Sequence, residues 1–444
     1  MKMKNILIAA LFVFPFSLMA QQQMSLTVEK SIEIGLANSK VLHASMMGLE
    51  AADARSGEAS VERFGTLKFN GGYTRLSDVP PFDIGPYPPL LINPITVSSA
   101  VLNNYNFRLT FQQPLFTGFR LQKNADLADY SAQAAERDYT RDKSDLIYNV
   151  KSAYWNLYKA NEFKRVIDEI VEQMKSHLKD VQNFFDQGIA TKNDVLRVET
   201  QLSNAEMTQL DAGNNVQLAM LGLNNTIGLP LGTKIEIAST LQNAETPSYN
   251  VDDLIRQANE LRPDLKAMEF RVKAGEAGVG FAQSGWFPQI YLVGNYYYAR
   301  PNQRIFPTID AFKNTWDVGI NVSMDIWNWG STIHQTNQAQ AQLAQARDIL
   351  GQLKDGISLE VTQSYLTLNE SRDRIGVAEK GVAQAEENYR ITNEKYKSGL
   401  VLNSDVLDAE VSLLQAKWNY IQALVDHELA GARLQKATAS DLNH

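Results

Sequence analysis

Cysteine is absent from this sequence of 444 residues. A protein exported without cysteine has no disulfide bonds, so its stability must come from packing or from oligomerisation. Beyond residue 20 the chain also lacks any apolar run of about 18 residues, which excludes a transmembrane helix. Positive charge is scarce as well: the net charge is −8, which argues against a nucleic-acid partner, because contact with phosphates needs a basic surface.

No group of residues suited to catalysis or cofactor binding is visible in the sequence. The five histidines are scattered without metal-ligand spacing, and glycine-rich phosphate loops are missing. Two of the histidines, His177 and His427, are interpreted as residues on the surface of helices. We therefore expect no enzyme activity, no catalytic residues, no bound metal and no cofactor.

The first twenty residues differ from everything that follows. Lys2 and Lys4 precede an apolar stretch that ends at Leu18, and Ala20 stands before a run of glutamines. This pattern predicts a secretory signal peptide at 1–20, whose apolar part is too short to span a membrane. Because no cysteine follows it, a lipoprotein anchor is excluded.

The rest of the chain is an internal duplication. The twelve residues that begin at Phe185 (FDQGIATKNDVL) match those that begin at Tyr396 (YKSGLVLNSDVL) at a shift of 211 residues. The same shift relates Glu199 to Glu410, and further upstream the shift becomes 223. We predict two repeats, each with a helix, two strands and a helical hairpin. The predicted boundaries are a signal peptide at 1–20, a first repeat at 21–227, a linker at 228–250, a second repeat at 251–438 and a tail at 439–444.

Four segments, two in each repeat, alternate apolar with polar residues, although the opposite face of the third segment is mixed. Their apolar positions are Leu67, Phe69, Gly71 and Tyr73; Tyr105, Phe107, Leu109 and Phe111; Ile290, Leu292 and Tyr296; and Trp316, Val318, Ile320, Val322, Met324 and Ile326. Alternation over about ten residues is typical of membrane β-barrel strands, and also of a soluble sandwich with one wet face. Nearby aromatic residues and the export signal favour the membrane barrel. Because open sheet edges are not tolerated in hydrocarbon, three copies would have to pool twelve strands.

Two connections between these strands are expected to face the cell exterior. The first, from about Ser77 to Asn103, is rich in proline, which cannot join a central sheet. The second runs from about Pro301 to Asn314.

Long helices fill most of the remaining sequence. From about Leu121 to Gln187 there is no proline, and apolar residues recur at alternating spacings of four and three, which predicts a coiled-coil helix about 100 Å long. A return helix from Lys192 to about Thr226 and an opening helix from Val28 to Arg63 are each about half that length. The predicted fold is a mixed α and β membrane protein, in which a long α-helical coiled-coil barrel continues into a trimeric 12-stranded transmembrane β-barrel with four strands per chain.

Two kinds of duplicated motif carry a family resemblance. Gly-x-x-x-x-x-Asp-Val begins at Gly188 and again at Gly399, and strand-to-helix junctions ending in glycine begin at Pro114 and Asp325. With these motifs the chain resembles the TolC-like outer-membrane efflux proteins over essentially its whole mature length. The resemblance implies a homotrimer in the outer membrane that extends into the periplasm. It would serve as the exit duct of a tripartite efflux or type I secretion system. The implied partners are outer-membrane lipids, a periplasmic adaptor protein and an inner-membrane pump.

The resemblance also implies roles for residues at the two hairpin tips. Asp405 and Asp408 would line the periplasmic constriction, where three copies place six carboxylates around a cation-selective neck. Read from the residues alone, both aspartates could instead complement the positive N-terminal end of a helix dipole. The sites expected to shape the tips and dock the adaptor are Gly188, Ile189, Gly399 and Leu400.

A gate residue pair is implied at the same place. Asp194 and Tyr396 match the aspartate and tyrosine of a family gate that holds the tip shut, whereas Val401 occupies the position of its arginine. Any gate here must therefore lack that ionic link. From the residues alone, Thr191 and Asp194 also fit a helix capping box.

A second class of function stays open from the sequence. The chain could be a non-membrane periplasmic coiled-coil scaffold or adhesion protein, whose helices bind partners and whose sheet is not in a membrane.

Overall fold

The structure is a computed structural model. It describes residues 24–78, 101–239 and 249–443, together with positions 80, 82–86, 88, 93, 95–98 and 241. The predicted signal peptide at 1–20 lies outside the described residues.

Within the described residues the chain forms eight strands and eight α-helices. The strands are β1 (Met24–Leu26), β2 (Thr66–Arg75), β3 (Phe82–Ile84), β4 (Ile95–Ser98), β5 (Asn103–Phe116), β6 (Ile235–Ile237), β7 (Gln289–Arg300) and β8 (Lys313–Ser323). The α-helices are α1 (Val28–Asn38), α2 (Lys40–Val61), α3 (Arg120–Asp186), α4 (Lys192–Thr226), α5 (Val251–Leu261), α6 (Pro263–Gln283), α7 (Ser331–Lys397) and α8 (Asn403–Ala437). Short 3-10 helices follow α6 and α8.

The chain divides into two compact units, and each unit draws on both predicted repeats. The helical unit consists of the described residues within Met1–His43, Asp142–Ala258 and Leu359–His444. The sheet unit consists of Ala44–Arg141 and Asn259–Ser358. The unit boundaries therefore do not follow the repeat boundaries at 21–227 and 251–438, which stay a prediction.

The sheet unit contains a four-stranded antiparallel sheet in the order β2-β5-β7-β8, built from the four predicted strands. One row of side chains across all four strands is apolar and consists of Phe69, Leu109, Tyr296 and Trp316. The neighbouring row, on the opposite face, is called the polar row and consists of Lys68, Thr110, Asn295 and Asp317. In these two rows the sheet has one apolar and one polar face, as the alternation predicted, whereas the polar face of β7 also carries Tyr291, Val293 and Tyr297.

The prediction for the last strand was too long. β8 ends at Ser323, which pairs with Gln289 at the start of β7, so Met324 and Ile326 follow the strand. Pro288 precedes Gln289 and has no backbone N–H to donate, so the ladder ends there.

The long helices agree with the sequence prediction except at one break. α3 and α7 each have 67 residues, and α4 and α8 each have 35, so the duplication is visible in the helix lengths. The opening helix predicted from Val28 to Arg63 is divided between α1 and α2. Ser39 is extended there (φ −66°, ψ 116°), and its hydroxyl oxygen accepts a hydrogen bond from the Leu42 N–H at 3.2 Å, which caps α2.

The core of the helical unit follows the predicted seam of α3. Val150, Leu157, Ile167, Val171 and Val181 are each fully buried. Close by, β1 pairs in parallel with β6, a strand from the predicted linker. Among the described residues, no α-helix combines the length and apolar character needed to cross a membrane.

Candidate functional site

The two hairpin tips of the helical unit close with the same backbone geometry. Gly188 (φ 77°) follows α3, and Gly399 (φ 73°) follows α7. Both lie in the left-handed region, which glycine enters without strain. In the first tip the Ile189 N–H donates to the Phe184 carbonyl at 2.8 Å, and in the second the Leu400 N–H donates to the Lys395 carbonyl at 2.9 Å. The two glycines therefore shape the turns.

The predicted capping box is confirmed at the start of α4. The Asp194 N–H donates to the Thr191 hydroxyl at 3.2 Å, and the Thr191 N–H donates to the Asp194 carboxylate at 3.0 Å. The Thr191 hydroxyl also donates to that carboxylate at 2.6 Å. Hydrogen bonds from the Thr191 hydroxyl and then its backbone N–H lower the pKa of Asp194, which is therefore ionised.

The second tip has only half of this arrangement. Asp405 accepts a hydrogen bond from the Leu402 N–H at 2.9 Å, but leucine at the N-cap offers no acceptor in return. Asp405 thus complements the N-terminal end of α8, which is the alternative role inferred from the residues alone. Asp408, one turn further on, is exposed like Asp405. Whether these carboxylates form a ring depends on assembly and stays a prediction.

A groove between α4 and α8 runs from the tips and contains Asp408. Its volume is about 470 Å³, and its lining includes Leu196, Arg197, Asp408 and Val411. Leu196 and Val411 are each 47% exposed. The groove is therefore lined by exposed apolar side chains together with one basic and one acidic group.

An apolar cluster, called the tip cluster, lies just inside the two turns. Its buried members are Val181, Val195, Val198, Tyr396 and Val406. Val401 is partly buried against it, which explains an apolar residue at the position where the family gate has arginine. The Tyr396 ring is 7% exposed, and burial together with the charge of Asp194 raises its pKa. Asp194 and Tyr396 are thus brought within electrostatic reach of each other.

His177 is a site residue that the sequence analysis missed. It is 4% exposed, so its interpretation as a surface residue was wrong. Its Nε2 lies 2.8 Å from the Asn403 Oδ1, and its ring lies 5.1 Å from that of Tyr396. The Asn403 Nδ2 also donates to the Asp194 carbonyl at 3.2 Å. Asn403 therefore ties the start of α8 to both α3 and α4.

The physical reason for the error is the width of the buried stripe. His177 stands between Met174 and Val181 in α3, next to Leu178 of the predicted seam, and a core-facing stripe wider than about 100° includes both 177 and 178. Burial lowers the pKa of His177, so its imidazole is neutral near pH 7. His427 is half-buried beside Ser371, whose hydroxyl lies 3.0 Å from its Nδ1, so it too is not simply a surface residue.

Asn403 begins a column of polar residues on α8. Glu410 and Lys417 follow it at intervals of seven, so all three lie on one helix face. Glu410 is fully buried, and its Oε1 accepts a hydrogen bond from the Tyr389 hydroxyl at 3.4 Å. Its Oε2 has no hydrogen-bond partner among the described residues. Lys417 lies 3.3 Å from a carboxylate oxygen of Glu169.

Burial changes the ionisation of Glu410 and of its hydrogen-bond partner Tyr389 on α7. It raises the pKa of Glu410 to about 7 and, with the Glu410 charge, that of Tyr389 to about 12. The sequence signal was available, since three polar residues at heptad spacing on an apolar helix face indicate buried polar contacts. In the part of the chain that the structure describes, no group of three or more histidine, aspartate or glutamate side chains could hold a metal ion.

Comparison with known proteins gives a consistent result. The model of the outer membrane efflux protein family matches residues 32–229 and 254–440. The outer membrane efflux protein BepC of Brucella suis is 24% identical over 331 residues, which cover 74% of this chain and 71% of that protein. The outer membrane protein TolC of Vibrio cholerae is 22% identical over 315 residues, which cover 70% and 72%.

A solved structure has the same fold. The CmeC outer membrane channel of Campylobacter jejuni superposes with a TM-score of 0.79 at 16% identity, over 93% of this chain and 85% of that chain. The predicted combination of long coiled-coil helices with the strands of an outer-membrane channel is confirmed.

Proposed function

This chain belongs to the outer membrane efflux protein family, and from that premise we propose that three copies form the passive exit channel of a tripartite efflux or type I secretion system. The protein is located in the outer membrane. One observation carries the proposal: the sheet exposes its apolar face and leaves strands β2 and β8 at its edges.

The apolar face fits lipid and not water. Along β8 the exposed fractions are 71% for Trp316, 64% for Val318, 66% for Ile320 and 60% for Val322. A periplasmic scaffold would leave this face in contact with water, which costs about 25 cal/mol for each Å² of apolar surface. In hydrocarbon the same face is stable, and the unpaired edges become the unfavourable feature.

Closure by neighbouring copies removes the edges. Four strands are too few to close a barrel, and three copies give twelve, with β8 of one copy beside β2 of the next. The polar row then faces the interior of the barrel, and the apolar row faces lipid.

The tips supply the contacts for a periplasmic adaptor, through which an inner-membrane pump would drive export. Ile189 is 67% exposed, Leu400 is 73% exposed and Leu402 is 70% exposed. Apolar side chains held out by rigid turns at Gly188 and Gly399 are suited to insertion between the helices of a partner. No catalytic or cofactor role is assigned to the chain.

The carboxylates of the second tip form the constriction in this proposal. Two from each of three copies, Asp405 and Asp408, give six around the axis. Asp405 uses one oxygen to cap α8, which leaves the second for a cation. Asp194 and Tyr396 lie beside this neck as gate residues, with Asn403 in place of the missing arginine as the polar link between hairpins.

Two measurements test the proposal. The detergent-solubilised protein is expected to have the mass of a trimer and to conduct ions in planar bilayers, and a monomer without conductance would contradict the channel. The double change Asp405→Asn with Asp408→Asn is expected to abolish most cation preference. If the aspartates only complement the helix dipole, the double variant is slightly less stable, and its selectivity is unchanged.

A further inference from the structure

The loop between β7 and β8, residues 301–312, is folded back onto the sheet. Asn302 is 4% exposed, and its Nδ2 donates to the Lys313 carbonyl and to the Thr315 hydroxyl, both at 3.1 Å. Its Oδ1 accepts a hydrogen bond from the Arg304 N–H at 3.0 Å. The start of the loop is therefore anchored to the first residues of β8.

Arg304 extends from this anchor over the polar face. Its Nη2 lies 2.6 Å from the Asp317 Oδ2, and its guanidinium carbon lies 4.1 Å from the centre of the Tyr297 ring. Tyr297 is opposite Thr315 in the ladder, two residues from Asp317, so both contacts are on the same face. An ion pair and a cation–π contact thus hold one side chain.

The acceptor of this ion pair is fixed by its neighbours in the polar row. The Thr110 hydroxyl donates to the Asn295 Oδ1 at 2.9 Å, and the Asn295 Nδ2 donates to the Asp317 Oδ1 at 2.8 Å. Asp317 therefore presents its second oxygen to Arg304 from a preorganised position.

The end of the loop is held on the other face. The Phe312 ring lies 5.0 Å from that of Tyr298 and 5.5 Å from that of Tyr105, both on the apolar side. The loop thus crosses the end of the sheet, with Arg304 on one face and Phe312 on the other.

We propose that this loop overhangs the interior of the channel at its extracellular end and forms a constriction that limits the size of the solutes that pass. The Arg304–Asp317 ion pair keeps the loop in place. This inference depends on the proposed function, because the polar face is an interior only when copies close the barrel. Three loops, one from each copy, would narrow the same opening.

The absence of cysteine allows a direct test in intact cells. Asn321 is exposed on the polar face, four residues beyond Asp317 and therefore about 13 Å further from the loop. In the Asn321→Cys protein, the labelling rates of a small and of a polymer-linked impermeant maleimide, both added outside, report access through the mouth.

The variant Arg304→Gln is expected to raise the labelling rate of the large reagent about tenfold. That factor is the increase in the population of open loops expected when contacts of this strength are lost. The rate of the small reagent is expected to stay the same. Asp317→Asn removes the ion pair but leaves the contact of Arg304 with the Tyr297 ring, so it should raise the same rate by a smaller factor. Arg300→Gln is the matched control, since Arg300 pairs with Asp310 in the same loop, at 2.7 Å, without touching the polar row.

Folding of each variant is checked by its heat-resistant trimer on gels. Equal rates for the large reagent in the Asn321→Cys protein with and without Arg304→Gln or Asp317→Asn would overturn the constriction. So would a thiol at position 321 that even the small reagent does not reach from outside. Failure of the channel itself is recognised separately, because the wild-type protein would then neither form trimers nor conduct ions.

Discussion

The two hairpin tips have the same backbone geometry and differ in how the helix after each turn begins. In the first tip Thr191 and Asp194 cap each other, so the start of α4 is capped by residues of its own turn. In the second tip Leu402 replaces the threonine, and α8 obtains a further polar contact through Asn403, which reaches His177. The first tip is therefore closed locally, whereas the second depends on the first.

The same contrast continues along the helices. Glu199 and Glu410 occupy equivalent positions of the two repeats, yet Glu199 is exposed and Glu410 is fully buried. α4 and α8 have the same length, but among their described residues the buried glutamate is on α8. Such groups specify one helix register at a cost in stability. The packing of the second hairpin is therefore expected to respond to pH through Glu410.

The largest expected effect comes from removing the buried carboxyl. The pKa of Glu410 is raised from its ordinary value of 4.5 to about 7, so unfolded chains release its proton at lower pH than folded ones. Its burial therefore destabilises the fold increasingly as pH rises from about 4.5 to about 7, by roughly 3 kcal/mol in full. At about pH 8, Glu410→Gln should be more stable than wild type by up to that amount. At about pH 4 the two should be equal, as followed by denaturant unfolding with circular dichroism.

Glu199→Gln is the matched control for that measurement. Because Glu199 is exposed, its replacement should leave the dependence of unfolding free energy on pH unchanged. If the unfolding free energies of wild type and Glu410→Gln changed with pH in parallel, Glu410 would not be buried as a protonated acid.

The next effect concerns the tie between the hairpins. Asn403→Ala leaves the His177 Nε2 buried without its partner, which is expected to cost about 1–3 kcal/mol of unfolding free energy. Lys192→Ala changes the equivalent, exposed position of α4 and should cost less than about 0.5 kcal/mol. Similar losses of unfolding free energy in Asn403→Ala and Lys192→Ala would contradict the asymmetry between the tips.

A smaller effect is expected at the capping box. Thr191→Ala deletes the hydroxyl that bonds Asp194 and should lower the unfolding free energy by about 1 kcal/mol. Leu402→Ala, at the equivalent position, has no cap to lose and should be close to neutral. Thermal unfolding of both variants compares their stabilities. A larger loss of stability in Leu402→Ala than in Thr191→Ala would contradict the finding that the second tip has only half of a capping box.

Much of this architecture follows from periodicity within single segments. The bounds of α3 and α4 were predicted to within a residue or so, because the heptad seam and the glycine turn are local signals. The four strands were found for the same reason. Ser39 was missed as a break in the opening helix, since a single serine is a weak stop signal until its cap is formed.

The contacts that distinguish the two tips could not be predicted in the same way. His177 and Asn403 are separated by 226 residues, so nothing local links them. A polar side chain is ordinarily assigned to the surface, and that rule misplaced His177 because a polar group from another helix matches it. The same rule gives no sign that Glu410 is buried, since its partner Tyr389 also lies on another helix. The ion pair of Arg304 was not predicted either, because Arg304 reaches its partner Asp317 only when the loop folds back over the end of the sheet.

The smallest expected effect comes from completing the second capping box. Leu402→Thr should let the hydroxyl accept from the Asp405 N–H, as Thr191 does for Asp194, and raise the unfolding free energy by about 0.5–1 kcal/mol. Leu402 is 70% exposed and is not needed for the fold, so a leucine retained there fits the proposed docking of an adaptor. The variant should therefore be more stable but bind the adaptor less tightly in a titration of the two purified proteins.

The reciprocal change Thr191→Leu should lower the unfolding free energy by about the same amount. If the two caps are independent, the double exchange should unfold with nearly the wild-type free energy, because effects at separated sites add. A double variant well below the sum of the single changes would mean that the tips are coupled through Asn403, and the first tip would then not be closed locally.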